Sequence, residues 1–553
     1  MNGPLIVQSD RTLLLEVDHA EAERCRSAIA SFAELETAPE HVHTYRVTPL
    51  ALWNARAAGI DAETVVDALT TWSRFPVPPA VFVDVAETMA RYGRLVLEKA
   101  EATPEGGGAP AGSLVLRAVA LEDLPVLEEV VRAKGVAPFV TARLGPIAVA
   151  VPAAERGRLK QALVKLGWPC DDQAGHREGA ACSLQLQATE LRPYQEGAVT
   201  SFVASGSGVV VLPCGAGKTI VGAATMAKVG AQTLILVTNT VAARQWRREL
   251  LDRTTLGPEE IGEYSGERKD IRPVTIATYQ VLITKRKGEY PHLALFSALD
   301  WGLVIYDEVH LLPAPVFRMT AEIQSRRRLG LTATLVREDG READVFSLIG
   351  PKRFDAPWRD IEAQGWIAPA QCVEVRVTLT PDERMAYALA EPDVAYRVGS
   401  TAASKVGVVE QVLARHPGEP TLVIGQYIDQ LERLAARLGA PLITGRTPNR
   451  ERESLFARFR QGEVGLLVVS KVANFSIDLP EATVAVQVSG SFGSRQEEAQ
   501  RLGRILRPKR DGRQAWFYTI VSRDTNDQTF AANRQRFLAE QGYAYEIIDA
   551  ADL

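Results

Sequence analysis

Short, continuously apolar runs alternate with helical stretches from about residue 190 onward. Val209–Leu212, Leu234–Thr238, Val274–Thr278, Leu303–Tyr306 and Leu329–Thr332 each read as a buried strand. The rhythm resumes after about residue 370 with Thr421–Ile424, Pro441–Ile443, Gly465–Val469, Val484–Val488 and Trp516–Ile520. Strands that are apolar throughout, rather than alternating, belong to parallel sheets covered by helices on both faces. Two such blocks in series predict two tandem α/β domains, spanning residues 186–368 and 369–553.

The first 185 residues follow a different pattern. Pro104–Gly112 is rich in glycine and proline and reads as a linker between units at 1–103 and 113–185. The first unit is predicted to be helical after Thr48. Pro49 suits a first helical turn, and Leu50, Leu52, Val65, Val66, Leu69 and Trp72 supply apolar faces, as in a winged-helix-like module. In the second, Leu114–Ala118 and Pro146–Val151 read as strands and Leu124–Ala133 and Ala154–Leu166 as helices, a small α/β or α+β unit.

Composition narrows the class. The chain has 553 residues, which at roughly 100–200 residues per domain agrees with several domains. Its 46% hydrophobic and 24% charged residues are those of a globular protein. No apolar run reaches the ~20 residues of a membrane span, and the start lacks a secretory pattern, so the expected setting is cytoplasmic, with no membrane. Cys25, Cys170, Cys182, Cys214 and Cys372 are scattered, without the paired spacing of a zinc ribbon or a disulfide framework. A net charge of −5 means that nucleic-acid binding would need local basic tracks.

The strongest chemical signal is Val209 to Thr219. A buried strand runs through Leu212, Pro213 and Cys214 into Gly215-Ala216-Gly217, and Lys218-Thr219 opens a helix. Small residues let successive amides turn toward phosphate oxygens, and the helix N-terminus favours negative charge. Lys218 can reach β- and γ-phosphates, and the Thr219 hydroxyl can hold magnesium. Leu212 occupies the place where the usual phosphate-loop pattern has its first glycine.

The run Leu303–His310 ends a second buried strand in Asp307-Glu308. Asp307 is expected to hold magnesium through water, and Glu308 to orient or deprotonate the attacking water. His310 sits where it could couple the nucleotide site to the second domain. Each motif alone admits a plainer reading, a glycine-rich turn or an acidic strand end; together they point to ATP hydrolysis with Mg2+. Ser494–Pro508 reads as a helix stopped by Pro508, with Gln500, Arg504 and Arg507 on one face. Arginines from a second domain can neutralise charge developing on a γ-phosphate. A solvated basic helix is the alternative for that stretch alone.

These motifs come in the order found in superfamily 2 helicases. Leu191-Arg192-Pro193-Tyr194-Gln195 resembles the adenine-recognition motif, with Gln195 as the reader. Thr332-Ala333-Thr334 resembles the interdomain linkage motif, and Ser470-Lys471 through Asp478 to Ala482 resembles motif V. The likeness is closer to the XPB family, over residues 186–540 strongly and more loosely before them. Leu212–Thr219 resembles its phosphate loop, Arg337-Glu338-Asp339 its Arg-Glu-Asp motif, and Leu348–Lys352 and Gln500–Arg507 further stretches of it.

The resemblance implies two tandem RecA-like parallel-sheet motor domains preceded by smaller α+β domains, the second like a damage-recognition domain. It implies a 3′→5′ DNA helicase acting in repair, with Arg337, Glu338 and Asp339 at duplex opening and a separate repair nuclease as partner. Residues 381–404 are a short candidate for the family's thumb. Candidate track residues are Thr238, Arg244, Gln245, Thr278 and Tyr279 in the first motor domain, and Gly445-Arg446 and Ser470-Lys471 in the second. The alternatives are a duplex translocase that does not separate strands, and an ATP-gated, damage-binding scaffold. Intact Lys218, Glu308, Arg504 and Arg507 disfavour the scaffold.

Overall fold

The computed structural model describes residues 3–38, 41–100, 108–213, 215–313, 315–316, 319–320, 323, 326–333, 342–356, 361, 370–470, 482–490, 514–540 and 545–553. Two seven-stranded sheets form its centre, each with all strands parallel. In the first, the spatial order is Ile261–Tyr264, Val274–Thr278, Thr233–Val237, Leu303–Asp307, Arg327–Thr332, Ser207–Val211, Lys352–Asp355. Its central strands are apolar along their length because helices cover both faces: Leu234, Ile235, Leu236 and Val237 are all fully buried. The strand Ser207–Val211 lies beside Arg327–Thr332, which in turn lies beside Leu303–Asp307. That order brings the ends of three strands, and the loops after them, to one carboxyl edge, where open α/β sheets place their ligands.

The second sheet has the order Leu442–Ile443, Leu466–Ser470, Thr421–Gly425, Val484–Gln487, Ala515–Ser522, Ala370–Val377, Tyr545–Asp549. Its strand Ala370–Val377 carries a buried Glu374, which accepts hydrogen bonds from Arg376 and Gln535. Beyond it, helices Pro381–Leu389 and Pro392–Ser400 pack as a pair, each with proline at its start, leaving Met385, Leu389 and Val394 exposed. Among the described residues, no helix is long and apolar enough to cross a membrane.

The N-terminal region is built from two sheets. Leu5–Val7, Thr12–Glu16, Val42–Arg46 and Glu34–Thr37 form an antiparallel sheet, which the helical reading of that unit did not include. The helices expected after Thr48 are present as Pro49–Ala57, Ala62–Trp72 and Pro79–Arg91. Thr48 caps the first of these, its hydroxyl accepting from the Ala51 amide at 3.0 Å.

The second sheet runs Ala142–Gly145, Ala148–Pro152, Ser113–Ala118, Leu95–Lys99, Asp171–Asp172. Here the expected boundary is corrected. Leu95–Lys99 pairs antiparallel with Ser113–Ala118, so Pro104–Gly112 joins two strands of one sheet and does not separate two units. The glycines and prolines mark a connection, and the second unit begins near Leu95.

The units are fastened to one another by specific contacts. Trp53, Val164 and Phe346, one from each of three units, form a shared apolar cluster. Asn54 accepts from the Lys352 amide at 2.9 Å, and Gln161 donates to Asp344 at 2.8 Å. At the far edge, the Tyr545 hydroxyl donates to the Ala38 carbonyl, tying the second parallel sheet to the N-terminal unit.

Candidate active site

The phosphate loop leaves the buried strand Ser207–Val211 and enters the helix Lys218–Val229 through Gly217, whose φ of +83° lies in the left-handed region. Glycine is needed there twice over, since a Cβ would also come within 2.5 Å of the Gln195 amide nitrogen. Gly215 is exposed and Ala216 buried, so the loop turns its backbone outward over an apolar base.

A small hydrogen-bonded frame holds the loop from below. The Tyr194 hydroxyl donates to the Ala216 carbonyl at 2.8 Å and accepts from the Arg192 guanidinium at 3.0 Å. Gln195 donates from its amide to the same carbonyl at 2.9 Å, and its amide oxygen accepts from the Arg192 backbone at 3.0 Å. Gln195 is buried, with both ends of its amide engaged. The residue expected to read adenine therefore braces the loop in this structure. Tyr194 was passed over in sequence; its place between Arg192 and Gln195 was the available signal.

Lys218 points back across the loop. Its ammonium donates to the Leu212 carbonyl at 3.4 Å and lies 3.5 Å from the Glu308 carboxylate. Thr219 stands half-buried in the first turn of the same helix. The loop and the acidic strand end, far apart in sequence, thus share one edge of the sheet.

The two carboxylates of that strand end are held differently. Asp307 accepts from the Trp246 indole at 2.9 Å through Oδ2 and from the Glu308 amide at 3.1 Å through Oδ1. Burial pushes its carboxyl up to about 6, and the Glu308 charge adds to the rise. Glu308 has a φ of +50°, unusual for a residue with a side chain. Such backbone geometry costs of order 1–3 kcal/mol and persists where surrounding structure enforces it. Behind Glu308, His310 lies 3.6 Å from its carboxylate and shares a 2.7 Å hydrogen bond with the Thr332 hydroxyl. His310 therefore bridges the acidic box to the end of the strand Arg327–Thr332.

The donor set fits magnesium. Thr219 and Asp307 offer hard oxygen atoms, while among the described residues no group of three or more His, Cys, Asp or Glu side chains could hold a metal alone. A cation carried mainly by nucleotide phosphates, with one or two protein oxygens, suits such a site. The raised carboxyl of Asp307, with a second carboxylate beside it, favours the arrival of positive charge.

On the nucleic-acid face the outcome is divided. Arg244 and Gln245 are exposed on the helix Thr240–Arg253, Thr238 is half-buried at its approach, and Gly445 and Arg446 are exposed on the second parallel-sheet domain. Thr278 and Tyr279, expected on the track, are instead buried. The Thr278 hydroxyl caps a short helix, and the Tyr279 hydroxyl donates to the Asp307 carbonyl at 3.0 Å. The strand Val274–Thr278 is buried along its whole length, one place in from the sheet edge, and draws both residues inward, so that Tyr279 supports the acidic box through its hydroxyl. Ser470 is also buried. Cys214, Thr334, Arg337, Glu338, Asp339, Lys471, Asp478, Gln500, Arg504 and Arg507 lie outside the described residues.

Comparison with known proteins agrees with this geometry. A family model described as the ERCC3/RAD25/XPB C-terminal helicase matches residues 361–552. One described as type III restriction enzyme, res subunit, matches residues 188–337, and one described as a helicase conserved C-terminal domain matches residues 5–145. A DNA 3′-5′ helicase XPB of Kineococcus radiotolerans is 70% identical over 100% of this chain and 97% of its own. Its namesake in Mycobacterium tuberculosis is 67% identical over 100% of this chain and 99% of its own. The general transcription and DNA repair factor IIH helicase/translocase subunit XPB of Antonospora locustae is 33% identical over 99% of this chain and 82% of its own.

Proposed function

The chain belongs to the XPB family of DNA helicases, and from that membership we propose that it is an ATP-dependent 3′→5′ DNA helicase acting in excision-type repair. One observation carries the reading. The loop lysine Lys218 sits 3.5 Å from Glu308 on the carboxyl edge of the first parallel sheet, with Asp307 beside it. A nucleotide phosphate seated in the loop would lie between a cation, oriented amides and two carboxylates, the set that hydrolysis needs.

In this reading Gly215, Ala216, Gly217 and Lys218 cradle the phosphates, and Glu308 orients the attacking water. Thr219 and Asp307 would hold magnesium, which when bound would supply charge to neutralise the phosphates. Arg192 and Gln195 lie at the adenine end. Gln500, Arg504 and Arg507 of the second motor domain complete the site, with Asp478 near the nucleotide. Arg244, Gln245, Arg446 and Lys471 grip the strand backbone, Arg337, Glu338 and Asp339 act at the junction, and His310, Thr332 and Thr334 link the two events. Closing the cleft on ATP and reopening it after hydrolysis would move the strand stepwise. No nuclease signature is evident in the sequence, so incision falls to a separate repair nuclease.

A second reading is a duplex translocase, favoured by the helicase/translocase wording of the Antonospora locustae relative. Unwinding of 3′-tailed and 5′-tailed duplexes, run beside DNA-stimulated ATPase, separates the two. Opening of the 3′-tailed duplex alone supports the helicase. ATP hydrolysis on DNA with neither duplex opened, alone or with a partner, supports the translocase.

A further inference from the structure

Trp246 lies at a junction that the nucleotide motifs leave unexplained. It is fully buried in the helix Thr240–Arg253, although its neighbours Arg244 and Gln245 face solvent. Its indole N–H donates to Asp307 Oδ2 at 2.9 Å. The edge of the same ring lies over Gly222 of the helix that follows the phosphate loop, so closely that a Cβ on Gly222 would run into it. One rigid side chain therefore touches the strand-facing helix, the phosphate-loop helix and the acidic box.

Buried tryptophan needs a partner for its N–H. A backbone carbonyl would have served, as it does for Trp301, which donates to the Leu295 carbonyl at 2.9 Å. Trp246 uses a functional carboxylate instead. The other oxygen of Asp307 is fixed by the Glu308 amide, so the two bonds together determine the plane of the carboxylate. A carboxylate held at one oxygen would still rotate; held at both, it presents the same lone pairs to whatever binds in front of it. Outer-shell donors of this kind orient metal-side ligands.

We propose that Trp246 is a positioning residue for Asp307, setting the carboxylate for the nucleotide-borne cation and connecting it rigidly to the helix that carries Arg244 and Gln245. The inference rests on the reading of Asp307 as the magnesium-side carboxylate and goes beyond it in assigning the donor that fixes that carboxylate from behind.

The test replaces the donor while keeping the ring. Trp246→Phe removes the N–H. Incorporation of 3-benzothienylalanine at position 246 preserves the bicyclic shape with sulfur in place of N–H, and covers the case in which Phe packs too poorly to fold. Binding of Mn2+ with a non-hydrolysable ATP analogue, followed by electron paramagnetic resonance, reads the cation site without turnover. The expected result is a roughly tenfold or greater weakening of Mn2+ binding in both variants, with tailed-DNA affinity unchanged and kcat lowered more than the KM for ATP is altered. Mn2+ affinity within twofold of wild type in the benzothienyl variant would overturn the proposal, because the ring and not the donor would then be what matters. Wild-type protein that binds no Mn2+–nucleotide complex would overturn the nucleotide-site reading itself, and this inference with it.

Discussion

Asp307 and Asp172 are both half-buried carboxylates, and their surroundings push them in opposite directions. Asp307 is raised to about 6 by burial, with Glu308 adding to the rise. Burial also acts upward on Asp172, but Lys160 and Arg156 outweigh it and hold the carboxyl far below the usual carboxylate range. Arg156 binds Asp172 through two nitrogens, the closer at 2.7 Å, and Lys160 reaches it at 2.9 Å. Across the unit boundary, Arg328 is fully buried, and burial followed by the charge of Arg156 lowers its guanidinium to about 10. Asp172 is thus already surrounded by its cations, Arg156 and Lys160, and ties the helix Arg156–Lys165 to the strand Asp171–Asp172 within the second N-terminal unit. Asp307 has indole and amide donors and, among the described residues, the single nearby cation Lys218, and is poised to accept a cation from outside. The comparison separates a carboxylate that holds structure from one prepared for chemistry.

The largest expected effect is at the loop. Lys218→Ala should lower DNA-stimulated ATPase by roughly 10²–10³ or more and abolish strand displacement, while the melting temperature changes little; steady-state kinetics and calorimetry measure the two.

Next come the two aspartates, where the contrast is sharpest. Asp172→Asn leaves Arg156 and Lys160 buried without their anion, and removing one partner of a buried pair costs about 3–5 kcal/mol. The sign follows from linkage: a carboxyl depressed in the folded state contributes stability above its unfolded value near ~4 and loses it only as pH falls through the folded value. The loss in Asp172→Asn should therefore be full at pH 7. Asp307→Asn should do the reverse. A carboxyl raised in the folded state contributes stability below ~4 and loses it as pH rises through about 6. Without nucleotide the Asn variant should be at least as stable as wild type at pH 7.5, and ATPase should be nearly lost. Denaturant titrations near pH ~4 and at pH ~7.5 check the pair, and equal destabilisation of the two variants at the higher pH would break the comparison.

A smaller effect is expected at His310→Ala. Removing its bridge from Glu308 to Thr332 should lower strand displacement more than ATP hydrolysis, by roughly five- to tenfold in their ratio, a coupling of order 1–1.4 kcal/mol. The smallest is Gln195→Ala, which loses the brace on Ala216 and the bond to Arg192. ATP affinity should weaken about threefold, at the low end of the net ~0.5–1.5 kcal/mol of a hydrogen bond, because the Tyr194 hydroxyl still holds the Ala216 carbonyl; nucleotide binding measures it.

Much of the motor architecture was legible because parallel strands buried on both faces leave uninterrupted apolar runs, as in Leu234–Val237. Strands without such runs were missed. Lys352–Asp355 is a charged sheet edge, with Lys352 paired to Asp355 at 2.7 Å, and Ala370–Val377 alternates polar residues that find partners only in the folded chain. Leu95–Lys99 was assigned to the wrong unit because glycine and proline mark a break in regular structure without saying whether the chain returns to the same sheet. At the site, Lys218, Asp307 and Glu308 stood out because phosphate and metal chemistry constrains local spacing. Trp246 did not, and Tyr279 was read as a track residue, because their partner Asp307 is distant along the chain and no periodicity encodes it. Thr278 and Tyr279, read as track residues, are buried instead, an outcome set by the covering of the strand Val274–Thr278 on both faces.

The most direct test of the account is strand displacement on 3′-tailed and 5′-tailed duplexes, run with wild type and Lys218→Ala under conditions where ATP hydrolysis is followed in parallel. The account predicts DNA-stimulated hydrolysis, opening of the 3′-tailed duplex only, and loss of both activities in the variant. Strand displacement that survives Lys218→Ala, or wild-type hydrolysis on DNA that never opens the 3′-tailed duplex, would contradict it.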